Sequence, residues 1–186
     1  HTLSETSNKF ERSTDEINSL LEECKKILFK VREKRPLPHL DDKILTSWNG
    51  LMISAFAKSY QVFNTPAYLE KAKGSADFII QNLYDPAKKA LLHRYRDGEA
   101  KIDATLDDYS FFVQGLIDIY EACFDEKYLK LAIELTENMI TDFYDETENG
   151  FFDTSGKDES ILVRTKEDYD SAEPTGNAVA INNLLR

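Results

Sequence analysis

Three short polar clusters in this chain carry residue types suited to proton transfer and hydroxyl recognition. They are HLDDKILTSWNG with His39, Asp41, Asp42, Trp48 and Asn49, LDDY with Asp107, Asp108 and Tyr109, and AEPTGN with Glu173, Thr175 and Asn177. Paired carboxylates across a cleft are the equipment of glycoside cleavage, one as acid and one as base or nucleophile, and they also accept hydrogen bonds from sugar hydroxyls. On this ground Asp42 and Asp108 are the candidates for acid/base work. Asp41, Asp107 and Glu173 would line the cleft, Trp48 and Tyr109 would offer stacking surface, and Asn49, Asn177 and Arg164 would fix orientation. His39, in an irregular loop, could exchange protons near neutral pH or simply bond a local carbonyl.

Each of these residues also has a plainer reading. Asp and Thr ahead of a helix cap it and complement its dipole, which accounts for one residue in each cluster and leaves a spare carboxylate in each Asp pair. Trp48, the only tryptophan, would equally serve as core. Arg164 would equally brace Asp168 or Asp170, and His93, beside Arg94 and Arg96, suits surface ion pairs. The chain has no Gly-rich phosphate loop, no Cys/His metal spacing and no GxSxG elbow, so no cofactor is expected.

The elements that must position these clusters follow from an internal repeat. Tyr60, Tyr68, Leu69, Ala72, Ile80, Tyr84 and Asp85 recur at a spacing of 60 as Tyr120, Tyr128, Leu129, Ala132, Ile140, Tyr144 and Asp145. Such a unit holds two helices and a long connection, and neighbouring units complete each other's core. Apolar spacing predicts helices over about 43–62, 66–83, 109–124 and 126–143, and a further one from about 175. The first of each pair is apolar nearly all round and the second on one face only, so buried inner helices alternate with outer ones. Ahead of them, Ser13 and Glu16 form a capping box for an amphipathic helix to about Lys34, with Ile17, Leu20, Leu21, Cys24, Ile27, Leu28 and Val31 on one face. Residues 1–12 read as a polar, aperiodic tail. ALLHRYRDGEAKI, with its Asp97-Gly98 turn, and GFFDTSGKDESILVR, with a turn at Gly156, both read as β-hairpins.

This alternation predicts an all-α fold, a partial (α/α)6 toroid of helical hairpins with short β-hairpin connections. Residues 1–186 would be about the first half of one such domain. Inner helices of a toroid run parallel, so the polar clusters would meet at one mouth. An excised half-ring would leave inner helices with bare apolar faces, and self-association through that open edge is expected.

The balance of 23 basic and 34 acidic residues, net −11, repels phosphate backbones and argues against nucleic acid. No apolar stretch approaches the roughly 20 residues that cross a bilayer. Cys24 and Cys123 read as small core residues in a reducing, cytoplasmic compartment.

The segments PHLDDKILTSWNGLMI, LDDYSFFVQGLIDIYEA, GFFDT and LVRTKEDYDSAEPTGNAVAINNLL resemble the thioredoxin-domain-containing family of bacterial YyaL-like proteins and spermatogenesis-associated protein 20, over a match from about Ile17 to the end. The resemblance implies a toroid akin to N-acylglucosamine 2-epimerases and six-hairpin glycosidases, preceded in the family by a thioredoxin-like domain. It makes a small sugar a plausible ligand by analogy of fold. Epimerases of the related type use paired histidines, and only His39 stands near the expected mouth. The competing reading is a non-catalytic helical scaffold that binds a protein or peptide and serves the thioredoxin-like domain.

Overall fold

The computed structural model describes residues 1–157 and 161–186, which fall into two compact units, His1–Asp41 and Asp42–Arg186. In the first unit, α1 (Leu3–Phe10) begins at a Thr2–Glu5 capping box, so the segment expected to be an aperiodic tail is helical. Its local cap satisfies orphan N–H groups without any apolar periodicity, which is why hydrophobic spacing does not reveal it. α2 (Thr14–Arg32) starts at the Ser13–Glu16 capping box. Of its apolar face only Ile17 is buried, and Leu20, Leu21, Ile27, Leu28, Phe29 and Val31 are exposed. Cys24 is exposed too, against the expectation of a core position, while Cys123 is half-buried.

The second unit contains the repeats: α3 (Thr46–Phe63), α4 (Pro66–Asn82), α5 (Leu106–Cys123), α6 (Glu126–Phe143) and α7 (Gly176–Leu184), with strands β1 (Ile44–Leu45), β2 (Tyr84–Asp85), β3 (Ala90–Arg96) and β4 (Glu99–Asp103) between them. The spacing of 60 extends to backbone detail. Asn64 and Phe124 end α3 and α5 in the left-handed conformation. Tyr84 pairs with Leu91 as Tyr144 does with Phe151. Asp85 and Asp145 each accept the backbone N–H groups two and three residues ahead. These are turns closed by an aspartate side chain, and they explain why Tyr-Asp recurs.

α3 and α5 run parallel in close contact. A β-carbon on Gly50 would lie 2.5 Å from the carbonyl carbon of Phe111, and one on Gly115 would lie 2.9 Å from the Gly50 carbonyl oxygen. Only glycine permits this approach. α5 is enclosed on nearly all sides, burying Tyr109, Phe111, Phe112, Val113, Leu116 and Ile119. α3 is not enclosed as expected, because Trp48, Met52, Val62 and Phe63 are exposed; its neighbours α4 and α5 cover only part of its circumference. α7 likewise exposes Ile181 and Leu184. The outer helices bury one face each, through Ala72, Ala76 and Ile79 in α4 and Tyr128, Ala132, Leu135, Met139 and Phe143 in α6.

β3 is the central strand, paired antiparallel with β1, β2 and β4. Its turn to β4 falls at Asp97 and Gly98, both at positive φ, as a two-residue hairpin turn requires. The second expected hairpin is not a strand pair among the described residues. It has the Tyr144–Phe151 bridge and a hydrogen bond from the Asp153 N–H to the Thr165 carbonyl, and residues 158–160 of that stretch lie outside the described residues. No helix among the described residues is long and apolar enough to cross a membrane.

Candidate functional site at the start of the inner helices

Contacts along α3, α5 and α7 put their N-terminal ends together. The Ser47 N–H at the start of α3 donates to Asp108 Oδ1 on the first turn of α5 at 2.9 Å, and further along Gln114 donates to Ser54 at 3.1 Å. Between α5 and α7 the sequence of contacts is Asp107 on Gly176, then Asn183 Nδ2 to the Ser110 carbonyl at 2.8 Å, then Arg186 to Asp118 at 2.6 Å. Rising numbers meet rising numbers, so the helices are parallel.

α5 begins at Leu106, earlier than apolar spacing indicates, and this shift decides what each aspartate does. Asp108 sits at the third helical position and reaches back to the N-cap. Its Oδ2 accepts from the Thr105 N–H at 2.9 Å and the Thr105 hydroxyl at 3.1 Å. The same oxygen lies 2.8 Å from His93 Nδ1 on β3. With the Ser47 N–H on Oδ1, this carboxylate is fully buried and takes four hydrogen-bond contacts. The expectation that Asp108 stands free as an acid is therefore corrected: its oxygens are occupied in joining α3, α5 and β3.

Asp107 is the spare carboxylate. Its side chain accepts no hydrogen bond from the described residues, and it packs against Gly176, where a β-carbon would collide with Oδ1. Burial first, then the charges of Asp108 and Glu173, push its pKa up from 3.8 to about 6. Around it lie Glu167, Tyr169, Ser171, Glu173 and Thr175, enclosing a small cavity of about 30 Å³, the room of one water. Trp48 stands at the same end. The residue is 62% exposed, and its Nε1 donates to Glu173 Oε2 at 3.2 Å.

The remaining expected residues go elsewhere. Asp42 pairs with Arg96 at 2.7 Å, an ion pair whose Arg96 N–H is not aimed at the carboxylate, so Asp42 does not stand as a free acid either. Tyr109 is buried rather than offered for stacking. Its hydroxyl accepts from the Leu91 N–H at 3.1 Å, its ring packs on Phe143, and burial raises its pKa. Asn49 turns back to donate to the Leu45 carbonyl and faces α4 beside Glu70 and Phe78. Arg164 braces neither Asp168 nor Asp170. It donates to the carbonyls of Thr154 and Asp142 and stacks on Phe152 at 4.0 Å. Asn177 exchanges a pair of hydrogen bonds with the Phe151 backbone at 2.8 Å each and donates to the Glu167 carbonyl at 3.3 Å, an amide used as a clamp. Thr175 caps α7 by accepting from the Ala178 N–H. His39 and Asp41 belong to the first unit, where both are exposed.

His93, expected in surface ion pairs, takes another place, and Asp118 was not among the expected residues. His93 is half-buried against Asp108, and that hydrogen bond, outweighing burial, raises its pKa above 6.5. Its signal was a histidine on a strand facing the start of a helix, which only the strand's placement makes visible. Asp118, fully buried in an apolar run, accepts from Ser54 and is neutralised by Lys58 at 3.0 Å and Arg186 at 2.6 Å. Lys58 and Asp118 occupy equivalent repeat positions, so the spacing of 60 did hold a clue to their pairing. No group of three or more metal-ligating side chains gathers among the described residues.

Comparison with known proteins bears on this arrangement. No protein-family model matches the chain. It is 32% identical over 195 residues to human spermatogenesis-associated protein 20, covering 100% of the chain and 25% of that protein. The rat counterpart is 31% identical over 190 residues, across 97% of the chain and 24% of its own length. Over its whole length the chain is similar to one stretch of spermatogenesis-associated protein 20. An uncharacterized protein of Caenorhabditis elegans is 38% identical over 188 residues, across 98% of the chain and 26% of that protein. The chain thus spans about a quarter of the length of these relatives.

Among solved structures, the cellobiose 2-epimerase of Spirochaeta thermophila aligns with a TM-score of 0.61 at 19% identity, over 77% of this chain and 38% of that one. The GH76 α-mannanase BT2949 of Bacteroides thetaiotaomicron aligns at 0.58 and 21% identity, over 64% and 34%. A family 105 glycoside hydrolase of C. acetobutylicum aligns at 0.62 and 12% identity, over 98% and 54%. The fold is that of the (α/α)6 toroid, of which these hairpins are a part.

Proposed function

We propose that the end of the bundle where α3, α5 and α7 begin binds a sugar, and that Asp107 exchanges a proton there in a carbohydrate-processing toroid. One observation carries this reading: the exposed Trp48 is tied by Glu173 beside a carboxylate, Asp107, that accepts no hydrogen bond from the described residues and whose pKa is raised to about 6. An aromatic face held next to carboxylates suits a pyranose, whose C–H face stacks while its hydroxyls donate. A carboxyl that titrates near neutrality suits proton transfer. The roles first expected of Asp42 and Asp108 pass to Asp107, with Glu173 as its companion. In this reading residues 1–186 form about the first half of one toroid domain.

Thermal-shift measurements with cellobiose and mannobiose on the full-length protein test the proposal. Stabilisation that is lost in Trp48→Ala and Asp107→Asn supports it. No stabilisation by either sugar overturns it.

An interaction module that associates with itself or with another protein is a second reading, favoured by the exposed Leu20, Leu21, Ile27, Leu28 and Phe29 of α2. Sedimentation velocity at increasing concentration tests it: a rising mass that Leu28→Glu abolishes supports it, and a constant monomer mass overturns it.

A further inference from the structure

His93 is held as a proton-transferring imidazole is held, although it lies outside the three polar clusters. Its Nδ1 is 2.8 Å from Asp108 Oδ2, and among the described residues nothing bonds its Nε2. Asp108 is itself immobile, being fully buried and fixed by Ser47 and both polar groups of Thr105. A carboxylate has only acceptor oxygens, so in neutral His93 the proton resides on Nδ1 and the lone pair on Nε2. This is the logic by which a buried carboxylate sets the tautomer and direction of a working histidine. The ring stands at the gap between the starts of α3 and α5, because its anchor bonds Ser47 of one and Thr105 of the other. That is the end at which Trp48 and Asp107 lie.

We infer that His93 is a second proton-exchanging group of the mouth, working through Nε2 opposite Asp107, with Asp108 as its positioning residue. The inference rests on the sugar-site reading and deepens it by naming the partner of Asp107. The charged groups acting on the ring are Asp108 and Asp107, which hold its proton, and Arg94, which opposes them. Burial pushes the Asp107 pKa up to about 6, and the hydrogen bond to Asp108 raises that of His93. Between the two, Asp107 is a carboxylate and His93 an imidazolium. His93 Nε2–H would protonate the glycosidic oxygen as its bond to the anomeric carbon breaks, while Asp107 takes a proton from the water that adds to that carbon, so that water is the one co-reactant and each group regains its starting state by proton exchange with solvent.

Two measurements on the full-length protein decide the matter. Nitrogen-detected NMR should show neutral His93 carrying its proton on Nδ1, with a pKa that falls in Asp108→Asn and, to a smaller extent, in Asp107→Asn. A neutral ring protonated on Nε2 overturns the inference in the wild type alone, so it remains decidable if Asp108→Asn does not fold. Turnover of cellobiose or mannobiose should fall about 100-fold or more in kcat in His93→Gln, with KM little changed, and the alkaline limb of the pH profile should be missing from the residual activity. A variant that keeps wild-type kcat overturns the inference while leaving the sugar site standing. If neither sugar binds or reacts, the sugar site fails, and His93 as its proton donor fails with it, whatever the tautomer.

Discussion

The Asp107 carboxylate rests on Gly176, so that the first turn of α5 and the first turn of α7 touch through an acid and a bare α-carbon. A methyl group at that position would collide with Asp107 Oδ1 and meet Leu106 Cγ at 2.9 Å. Gly176→Ala should therefore cost about 1–3 kcal/mol in urea unfolding and turn Asp107 out of its recess, lowering its pKa. Unchanged stability together with an unchanged Asp107 titration would show that the contact is not made.

The pH dependence of stability should carry the mark of Asp107. Its pKa is 3.8 ordinarily and about 6 in the fold, so the folded chain holds this proton more tightly than the unfolded one. The stabilisation is fully present below 3.8 and lost as pH rises through 6. Asp107→Asn should consequently exceed the wild type above about pH 7 by about 1–2 kcal/mol, discounted for partial exposure. The difference should close at the acidic end. Urea midpoints of both proteins across this range are the check.

His93 shifts in the same direction from another cause, its hydrogen bond to Asp108. Its contribution is complete below 6.5 and fades as pH rises through the raised folded value. The stability lost in His93→Gln should accordingly be largest at about pH 6 and shrink at about pH 8.5. A loss independent of pH would mean that the ring contributes packing alone.

Asn177 can be tested as a clamp. Asn177→Ala removes the pair of hydrogen bonds to Phe151 and the one to the Glu167 carbonyl, leaving partly buried backbone groups unpaired at a cost of about 1–3 kcal/mol. Asn177→Asp should be no better, since a carboxylate cannot donate to either carbonyl. Equal stability of Asn177→Asp and wild type would contradict the assigned amide orientation.

The repeat was legible in the sequence because its period is written into turn residues: Asp85 and Asp145 close equivalent turns, whereas the equivalent left-handed ends of α3 and α5, at Asn64 and Phe124, share a conformation and not a residue type. α6 falls on its expected bounds because its apolar face is regular. The site was less legible, for a reason of a few residues. Reading α5 from its apolar run places Asp107 and Asp108 before the helix, whereas capping by Thr105 puts both inside its first turn, where the first is spare and the second occupied. His93 was read as a surface ion-pair residue from its neighbours Arg94 and Arg96, because its contact with Asp108 depends on β3 lying across the start of α5, a long-range relation that no local spacing records. The fate of Asp42 depends in the same way on Arg96, brought over by the pairing of β1 with β3.

Gly50 and Gly115 have a consequence for how selectivity could evolve here. Where main chain abuts main chain, no side chain remains to trim or enlarge, so the separation of these two neighbouring staves cannot be tuned by substitution. If the proposed sugar site holds, discrimination between ligands would come from the rim residues Trp48, Asp107 and Glu173 and not from the spacing of these two helices.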